Sequence, residues 1–256
     1  MFSKAIVRAP CERFDEGLTT VDAGAPDYEH ALQQHEAYCE ALELCGLRLT
    51  RLEADERYPD STFVEDTAVI TNRSAILTRP GAASRLGEVE SIAATLSCFY
   101  AEVPSIHPPG TLDGGDVCEA EDHFFIGISE RTNDAGARQL AAWLASHAFT
   151  SSFVDIRGVK EILHLKSGLA YLGDNRIVII DALADHEEFR SLDLVRVPGG
   201  EEYAANCVRV NEYVLVAADC PRFEGTLRGL GYQTIALEMS EFQKMDGGLS
   251  CLSLRF

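Results

Sequence analysis

The C-terminal stretch MDGGLSCLSLRF places a cysteine, Cys251, shortly after a carboxylate and two glycines. A cysteine and a histidine together can supply a nucleophile and its acid–base partner. Among the seven histidines, only His164, in LHLKSG, lies just before a hairpin of the repeat described below. The others occupy helical or polar segments. A lone cysteine is more often a buried structural residue, and a histidine between leucines more often belongs to the core. The pair is therefore a hypothesis that the rest of the sequence has to support.

Carboxylates lie in the segments that precede the hairpins of the same repeat: Glu65 and Asp66 in FVED, Asp113 and Asp116 in LDGGD, and Asp246 in MDGGLSC. Negative charge opposes the ionisation of a thiol, so such a site suits a substrate that brings positive charge. A guanidinium is planar, permanently charged and pairs bidentately with carboxylates. Its central carbon is also the electrophile that a thiolate would attack. These residues therefore favour a guanidino substrate.

A repeated hairpin–helix–strand pattern explains how these residues could meet. Four copies follow one another along the chain, and their hairpins are TAVITNRSAIL, GGDVCEAEDHFFIGIS, SGLAYLGDNRIVIIDAL and NCVRVNEYVLVAA. Each hairpin has Asn, Asp or Gly at its turn. The fifth copy is split between the tail LSCLSLRF and the N-terminal SKAIVRAP, so that the two chain ends would pair in one hairpin.

Repeats of this kind that close radially form propellers. We therefore predict an α/β fold over residues 1–256, a single catalytic domain built as a five-fold pseudosymmetric α/β propeller whose terminal strands close the ring. The residues before each hairpin would face one mouth of the ring, which would bring together Cys251, His164, Asp113 and Asp66. An ordinary α/β domain with irregular hairpins is the alternative. The pattern also predicts a short helix in DHEEFRSLDL and a strand along the tail.

Composition limits the partners and the location. With 41 acidic and 22 basic residues the net charge is −19, which argues against nucleic acid and against an anionic membrane surface. No apolar run is long enough to span a bilayer and the N-terminus lacks the length of a signal peptide, so a cytoplasmic protein is expected. The eight cysteines are scattered without zinc-type spacing, and we expect no structural disulfide and no metal.

The motifs FVED, LDGGDV, LHLKSGLAYL and DGGLSC, in this order and with this spacing, resemble those of the dimethylarginine dimethylaminohydrolases. These are small members of the guanidino-group modifying superfamily, which also contains arginine deiminases and amidinotransferases, and the family fold is a five-fold α/β propeller. The resemblance covers essentially the whole chain. It implies that Cys251 is the nucleophile, that His164 is the general acid and base, and that Asp113 orients the histidine.

The resemblance also implies how the charged groups of a substrate would be held. Glu65 and Asp66 would hold the guanidinium, and Asp246 would be a further substrate-binding residue. Asp60 of YPDST would meet the α-amine. In an alternative interpretation, Glu65 turns its side chain away and contributes only its backbone.

Two arginines and a loop complete the implied binding site. Arg85 of GAASR and Arg131 of SERTN would clamp the α-carboxylate, for which the planar guanidinium fork is suited. The alternatives are a solvated Arg85 at the start of a helix and an Arg131 that is a surface charge. Leu18 of GLTT matches a flexible lid over the substrate. Met245 would supply a backbone contact where the family commonly has a branched aliphatic residue.

The implied reaction is a two-step covalent hydrolysis of methylated arginines to citrulline and dimethylamine or methylamine, with no cofactor. The partner is then a small-molecule substrate, and the chain would be a monomer or a homodimer. Three alternatives stay open: deimination of arginine, amidino transfer, and a non-enzymatic propeller that acts as a binding protein. The first two occur in longer chains, and the third does not need a thiol and a histidine at the mouth.

Overall fold

Five small β-sheets and five α-helices make up the fold. The structure is a computed structural model that describes residues 1–256. The strands are β1 (Lys4–Arg8), β2 (Arg48–Leu52), β3 (Ala68–Ile70), β4 (Ala75–Leu77), β5 (Val117–Ala120), β6 (His123–Ile128), β7 (Thr150–Asp155), β8 (Leu169–Gly173), β9 (Arg176–Ile179), β10 (Asp193–Arg196), β11 (Val208–Val210), β12 (Tyr213–Ala217), β13 (Gln233–Leu237) and β14 (Leu254–Arg255). The helices are α1 (Tyr28–Leu44), α2 (Val89–Leu96), α3 (Asp134–Ser146), α4 (Pro221–Gly229) and α5 (Ser240–Gln243).

The sheets follow the predicted repeat. In β5–β6–β7, β8–β9–β10 and β11–β12–β13 the first two strands are antiparallel and the third is parallel to the second. The sheet of β3 and β4 has only the hairpin, and its third strand is reduced to one parallel bridge between Leu77 and Ser105. The split repeat is confirmed, because β14 pairs antiparallel with β1, and β1 pairs parallel with β2.

Local sequence explains the turns and the helix starts. The hairpin turns contain residues with positive φ, namely Glu121, Asp174, Asn175 and Asn211, and Asn and Asp tolerate this left-handed conformation better than most residues. Helix α1 begins after Asp27, whose side chain accepts the N–H of residue 30. Helices α3 and α4 begin with an Asn cap and a first-turn proline, respectively, which are typical start signals.

One local prediction is wrong, and another holds only in part. The segment DHEEFRSLDL contains only one 3-10 turn, Glu187–Phe189, and its last two residues already belong to strand β10, which pairs with β9. The tail is a strand only over two residues, since Ser250–Leu252 forms a 3-10 turn. Ser253 is buried, and its hydroxyl lies 2.6 Å from the hydroxyl of Tyr38.

The chain divides into two compact units, each with its own core. The terminal unit comprises Met1–Val64 and Pro198–Phe256, and the central unit comprises Glu65–Val197. Phe14 and Phe242 meet in the core of the terminal unit, with ring centroids 5.4 Å apart. Phe124 and Phe149 meet in the core of the central unit, with ring centroids 5.3 Å apart. The single domain over residues 1–256 stays a prediction. None of the helices is long and apolar enough to cross a membrane.

Candidate active site

His164 lies in a buried group of carboxylates in the central unit. It precedes the 3-10 turn Leu165–Ser167, which leads into β8, and its side chain is 8% exposed. Its Nε2 is 3.0 Å from Oδ2 of Asp113, a residue with no exposed surface. The other oxygen of Asp113 accepts the N–H of Gly81 at 2.8 Å. Because both oxygens of Asp113 have partners, the carboxylate holds the imidazole in one orientation.

The surrounding charges decide the protonation of His164. Burial disfavours the charged imidazolium, but Asp66, Asp116 and Asp113 outweigh burial and raise the pKa of His164 to about 9. An opposite charge nearby stabilises the charged form in this way. The imidazolium is therefore the main form near neutral pH, and it can donate a proton.

Asp66 is ionised for a matching reason. Its Oδ2 accepts from Nη1 of Arg85 at 2.6 Å, and its Oδ1 accepts the N–H of Gly115 at 2.9 Å. Burial raises the pKa of Asp66, but His164 and Arg85 outweigh burial and lower it to about 2. A Cβ at Gly115 would lie 2.8 Å from Nδ1 of His164 and 2.9 Å from Oδ1 of Asp66. Only glycine lets the backbone pass this close to both side chains.

The two predicted clamp arginines have different surroundings. Arg85 is buried, so the alternative in which it is solvated is wrong. It forms ion pairs with Asp66 and with Glu88, a residue that sequence reasoning did not single out. Arg131 is half-buried, and its guanidinium has no hydrogen-bond or ion-pair partner within the protein. Glu65 is buried and its Oε1 lies 2.6 Å from Nζ of Lys166, a residue that sequence reasoning also missed.

Asp116 links the turns that carry Asp113 and His164. Its Oδ2 accepts from the hydroxyls of Ser129 and Thr132, both at 2.6 Å, and its Oδ1 accepts the N–H of Leu165 at 2.9 Å. Thr132 in turn accepts the N–H of Asp113 at 3.1 Å. Burial raises the pKa of Asp116. These contacts support a structural role for Asp116.

Three residues of this group have the spacing of a metal site. Asp66, Asp113 and His164 each offer one ligand atom, and these atoms lie within 4.8 Å of one another. The protein itself already provides partners for both carboxylates, in the form of Arg85, Gly115 N–H and Gly81 N–H. The grouping is therefore explained by hydrogen bonds and charge pairing within the chain.

These charges predict a pH-dependent stability. A histidine whose pKa is raised from 6.5 to about 9 on folding stabilises the protein fully below about pH 6.5, and this contribution is lost as the pH rises through about 9. The magnitude is on the order of 3 kcal/mol in the free energy of unfolding. Urea unfolding of the wild type and of His164→Asn at both ends of this range measures it. The difference between the two should shrink as the pH rises; a difference that is independent of pH would contradict the assignment.

Cys251 belongs to the terminal unit, within the 3-10 turn Ser250–Leu252, and is half-buried. Asn206 fastens this turn: its Oδ1 accepts the N–H of Ser250 at 2.8 Å and its Nδ2 donates to the Ser250 hydroxyl at 3.1 Å. The hydroxyl of Tyr203 donates to the carbonyl of Gly247 at 2.9 Å. The backbone before the thiol is therefore held from two sides by the segment that precedes β11.

The two glycines before Cys251 serve close packing, since neither has a positive φ. The residue with positive φ in this stretch is Asp246, at 56°. A Cβ at Gly247 would lie 2.3 Å from the ring of Phe63, and a Cβ at Gly248 would lie 2.4 Å from Oδ1 of Asn206. Neither neighbour can easily retreat, because Phe63 is in the core and Asn206 is hydrogen-bonded to Ser250.

Gly248→Ala should therefore lower stability by about 1 to 3 kcal/mol, the usual cost of overpacking a closed site. Thermal unfolding measures the loss. Gly225→Ala is the matched control: Gly225 is exposed in helix α4, and apart from its own helix backbone and chain neighbours no atom lies within 4 Å of the place that a Cβ would occupy. Alanine there should stabilise the protein by up to about 1 kcal/mol. Equal melting temperatures of the two variants would contradict the packing argument.

The remaining predicted binding residues also lie in the terminal unit. The N–H of Leu18 donates to Oδ1 of Asp60 at 2.9 Å. The N–H of Thr20 donates to Oδ2 of Asp246. Leu18 is 40% exposed, whereas Met245 is buried against the segment before Leu18. The structure thus joins the predicted lid to both carboxylates, and the hydroxyl of Thr20, which sequence reasoning missed, strengthens the contact with Asp246.

Comparisons with known proteins cover either the middle of the chain or all of it. A family model described as arginine deiminase matches residues 91–212. The chain is 46% identical over 257 residues to the N(G),N(G)-dimethylarginine dimethylaminohydrolase of Pseudomonas aeruginosa, with 100% of both chains covered. It is 38% identical to the protein of that name from Streptomyces coelicolor, covering 98% of this chain and 96% of that one.

Solved structures agree with these relatives. The structure of a cysteine-to-serine mutant of the Pseudomonas aeruginosa dimethylarginine dimethylaminohydrolase in complex with citrulline matches with a TM-score of 0.97 at 46% identity, and 100% of both chains is covered. The α/β fold class predicted from the sequence is thereby confirmed.

Proposed function

Since the chain belongs to the dimethylarginine dimethylaminohydrolase family, we propose that it hydrolyses arginines methylated on the guanidino group to citrulline and dimethylamine or methylamine. The observation that carries the proposal is the full-length similarity to relatives of that name. The ionised carboxylate of Asp66 beside a protonated His164 adds support, because it suits a cationic substrate and a reaction that consumes a proton at the leaving group.

In the first step, the thiolate of Cys251 attacks the guanidinium carbon and forms a C–S bond. His164 donates its proton to the dimethylamino nitrogen, the C–N bond breaks, and dimethylamine leaves. The product on the enzyme is a covalent thiouronium at Cys251. Asp113 acts by holding His164, whose raised pKa keeps the proton available at neutral pH.

In the second step, His164 takes a proton from water and the water oxygen attacks the same carbon. The second proton of the water passes to solvent, where the released dimethylamine takes it up. The C–S bond breaks, the thiolate of Cys251 returns, and the oxygen becomes the ureido carbonyl of citrulline. General acid–base help of this kind contributes about 100-fold to 10,000-fold to the rate. All groups that these steps use belong to the chain, so the proposal includes no cofactor.

The binding residues are those that the resemblance to the family implies for each end of the substrate. Asp66 pairs with the guanidinium, together with Glu65, whose carboxylate is partly compensated by Lys166. Asp246 is a further substrate-binding residue. Asp60, which already accepts one N–H, takes the α-amine.

Four further residues are proposed to contact the amino-acid end of the substrate or to cover it. Arg131 and Arg85 hold the α-carboxylate; the unpaired guanidinium of Arg131 favours this role. Leu18 lies in the segment proposed to cover the substrate, and Met245 contributes a backbone contact. A cytoplasmic location and a monomeric or homodimeric state belong to the same proposal.

Product analysis tests the substrate. The purified protein is incubated separately with asymmetric dimethylarginine and with arginine, and citrulline, dimethylamine and ammonia are measured. We expect citrulline and dimethylamine from the first and little product from the second. Arginine deimination is the second candidate, favoured by the arginine deiminase family model, and it predicts citrulline and ammonia from arginine. No product from either would contradict both.

A further inference from the structure

Glu88 is a buried carboxylate that the proposed mechanism does not use. It ends the 3-10 helix Ala83–Glu88, three residues after Arg85, and its side chain is 2% exposed. A buried carboxylate is costly unless it is paired and hydrogen-bonded. The role of Glu88 therefore depends on the residue with which its carboxylate is paired.

That partner is one edge of the Arg85 guanidinium. Nε of Arg85 donates to Oε1 of Glu88 at 3.0 Å, and Nη2 donates to Oε2 at 2.8 Å. This is the two-point geometry of an arginine–carboxylate pair. The guanidinium is rigid and planar, so fixing one edge also fixes the direction of the other nitrogen, Nη1.

The fixed nitrogen points at Asp66, the carboxylate proposed to meet the substrate guanidinium. Nη1 of Arg85 donates to Oδ2 of Asp66 at 2.6 Å. The second oxygen of Asp66 accepts from Gly115, whose backbone passes directly beside the ring of His164. A continuous set of hydrogen bonds thus runs from Glu88 through Arg85 to Asp66.

We propose that Glu88 is a positioning residue, which orients the guanidinium of Arg85 and through it the carboxylate of Asp66 for substrate binding. This inference rests on the proposed function, because it takes its meaning from the role of Asp66 and Arg85 toward a substrate. The competing interpretation is that Glu88 only balances the charge of buried Arg85. The two differ in kinetics, since charge balance alone affects stability and not the affinity of the folded enzyme.

Glu88→Gln separates them, because it keeps the shape and removes the charge and one acceptor. Displacement of Arg85 and Asp66 should raise KM for dimethylarginine with a smaller change in kcat, and lower kcat/KM by about 10-fold to 100-fold, the range for a small misplacement of positioning groups. The matched control is Glu90→Gln, an exposed residue of α2, whose kcat/KM should stay within about two-fold of the wild type.

A second readout does not depend on turnover. The groups that face His164 are Asp66, Asp113 and Asp116, with Arg85 bound to the first of them. Glu88→Asp keeps the charge on a shorter arm, so charge balance alone leaves the pKa of His164 measured by NMR unchanged in this variant. A displaced Asp66 would instead lower that pKa, because Asp66 is a main cause of its rise, and Glu90→Gln should leave it unchanged. If Glu88→Gln does not fold, Glu88→Asp should show the same rise in KM.

A folded Glu88→Gln with unchanged KM and kcat and only a lower melting temperature, together with an unchanged His164 titration in Glu88→Asp, would overturn the positioning role. Failure of the proposed function looks different, because the wild type itself would then not turn over dimethylarginine. In that case the titration of His164 in Glu88→Asp and Glu90→Gln still decides whether Glu88 positions Asp66.

Discussion

Cys251→Ser should lower the turnover of dimethylarginine by about 10,000-fold or more, as loss of a nucleophile does in other covalent enzymes. A serine hydroxyl is almost entirely protonated near neutral pH and is a much weaker nucleophile than a thiolate. The replacement is nearly isosteric, and the side chain is half-buried in a turn held by Asn206. The variant should therefore stay folded, and citrulline formation together with thermal unfolding measures both parts of the prediction.

Cys98→Ser is the matched control, because Cys98 is exposed. Its activity should equal that of the wild type. Activity of Cys251→Ser within about ten-fold of the wild type would remove the thiol from the chemistry, since a ten-fold change corresponds to only about 1.4 kcal/mol. If the wild type also failed to turn over dimethylarginine, the result would favour the non-enzymatic binding protein.

His164→Asn should lower kcat by about 100-fold to 10,000-fold, the usual contribution of a general acid and base. The amide can still donate a hydrogen bond to Asp113, but it cannot carry a proton to the leaving amine or take one from water. The loss should be smaller for a substrate analogue with a more acidic leaving group, because such a group departs without a proton. Steady-state kinetics with both substrates measures this difference.

The control for this variant is His107→Asn, at an exposed position that is not part of the carboxylate group. It should leave kcat and KM unchanged. An equal loss for both substrates in His164→Asn would contradict the role as general acid and would leave only an effect on binding or folding. Unfolding of the same variants tells these two apart.

Much of the fold could be predicted because its signals are local. The hairpin turns are marked by residues such as Asn175 and Asn211, which adopt positive φ, and each hairpin has strand-forming residues on both sides. The register of the repeat then places His164 and Asp113, 51 residues apart, at equivalent points, and their side chains meet at 3.0 Å. The repeat therefore predicts which residues far apart in sequence lie close in space, and composition and periodicity alone do not.

What escaped prediction depends on tertiary contacts. The spacing of Arg85 and Glu88 is that of a helical ion pair, but exposure cannot be read from it, and burial is what gives the pair its effect on Asp66. The glycines before Cys251 suggest a turn, whereas Asn206 and Phe63, both distant in sequence, are the reason that no side chain fits. Apolar and polar residues alternate along the tail as in a strand, yet the polar Ser253 is buried and its hydroxyl lies against that of Tyr38.

Mass spectrometry of the enzyme after acid quenching during turnover of dimethylarginine tests covalent catalysis by Cys251 most directly. We expect a protein adduct whose added mass equals the substrate less dimethylamine, located on the peptide that contains Cys251. The adduct should be absent from Cys251→Ser and present in Cys98→Ser. Citrulline formation with no adduct under any quench time, or an adduct on another residue, would contradict covalent catalysis by Cys251.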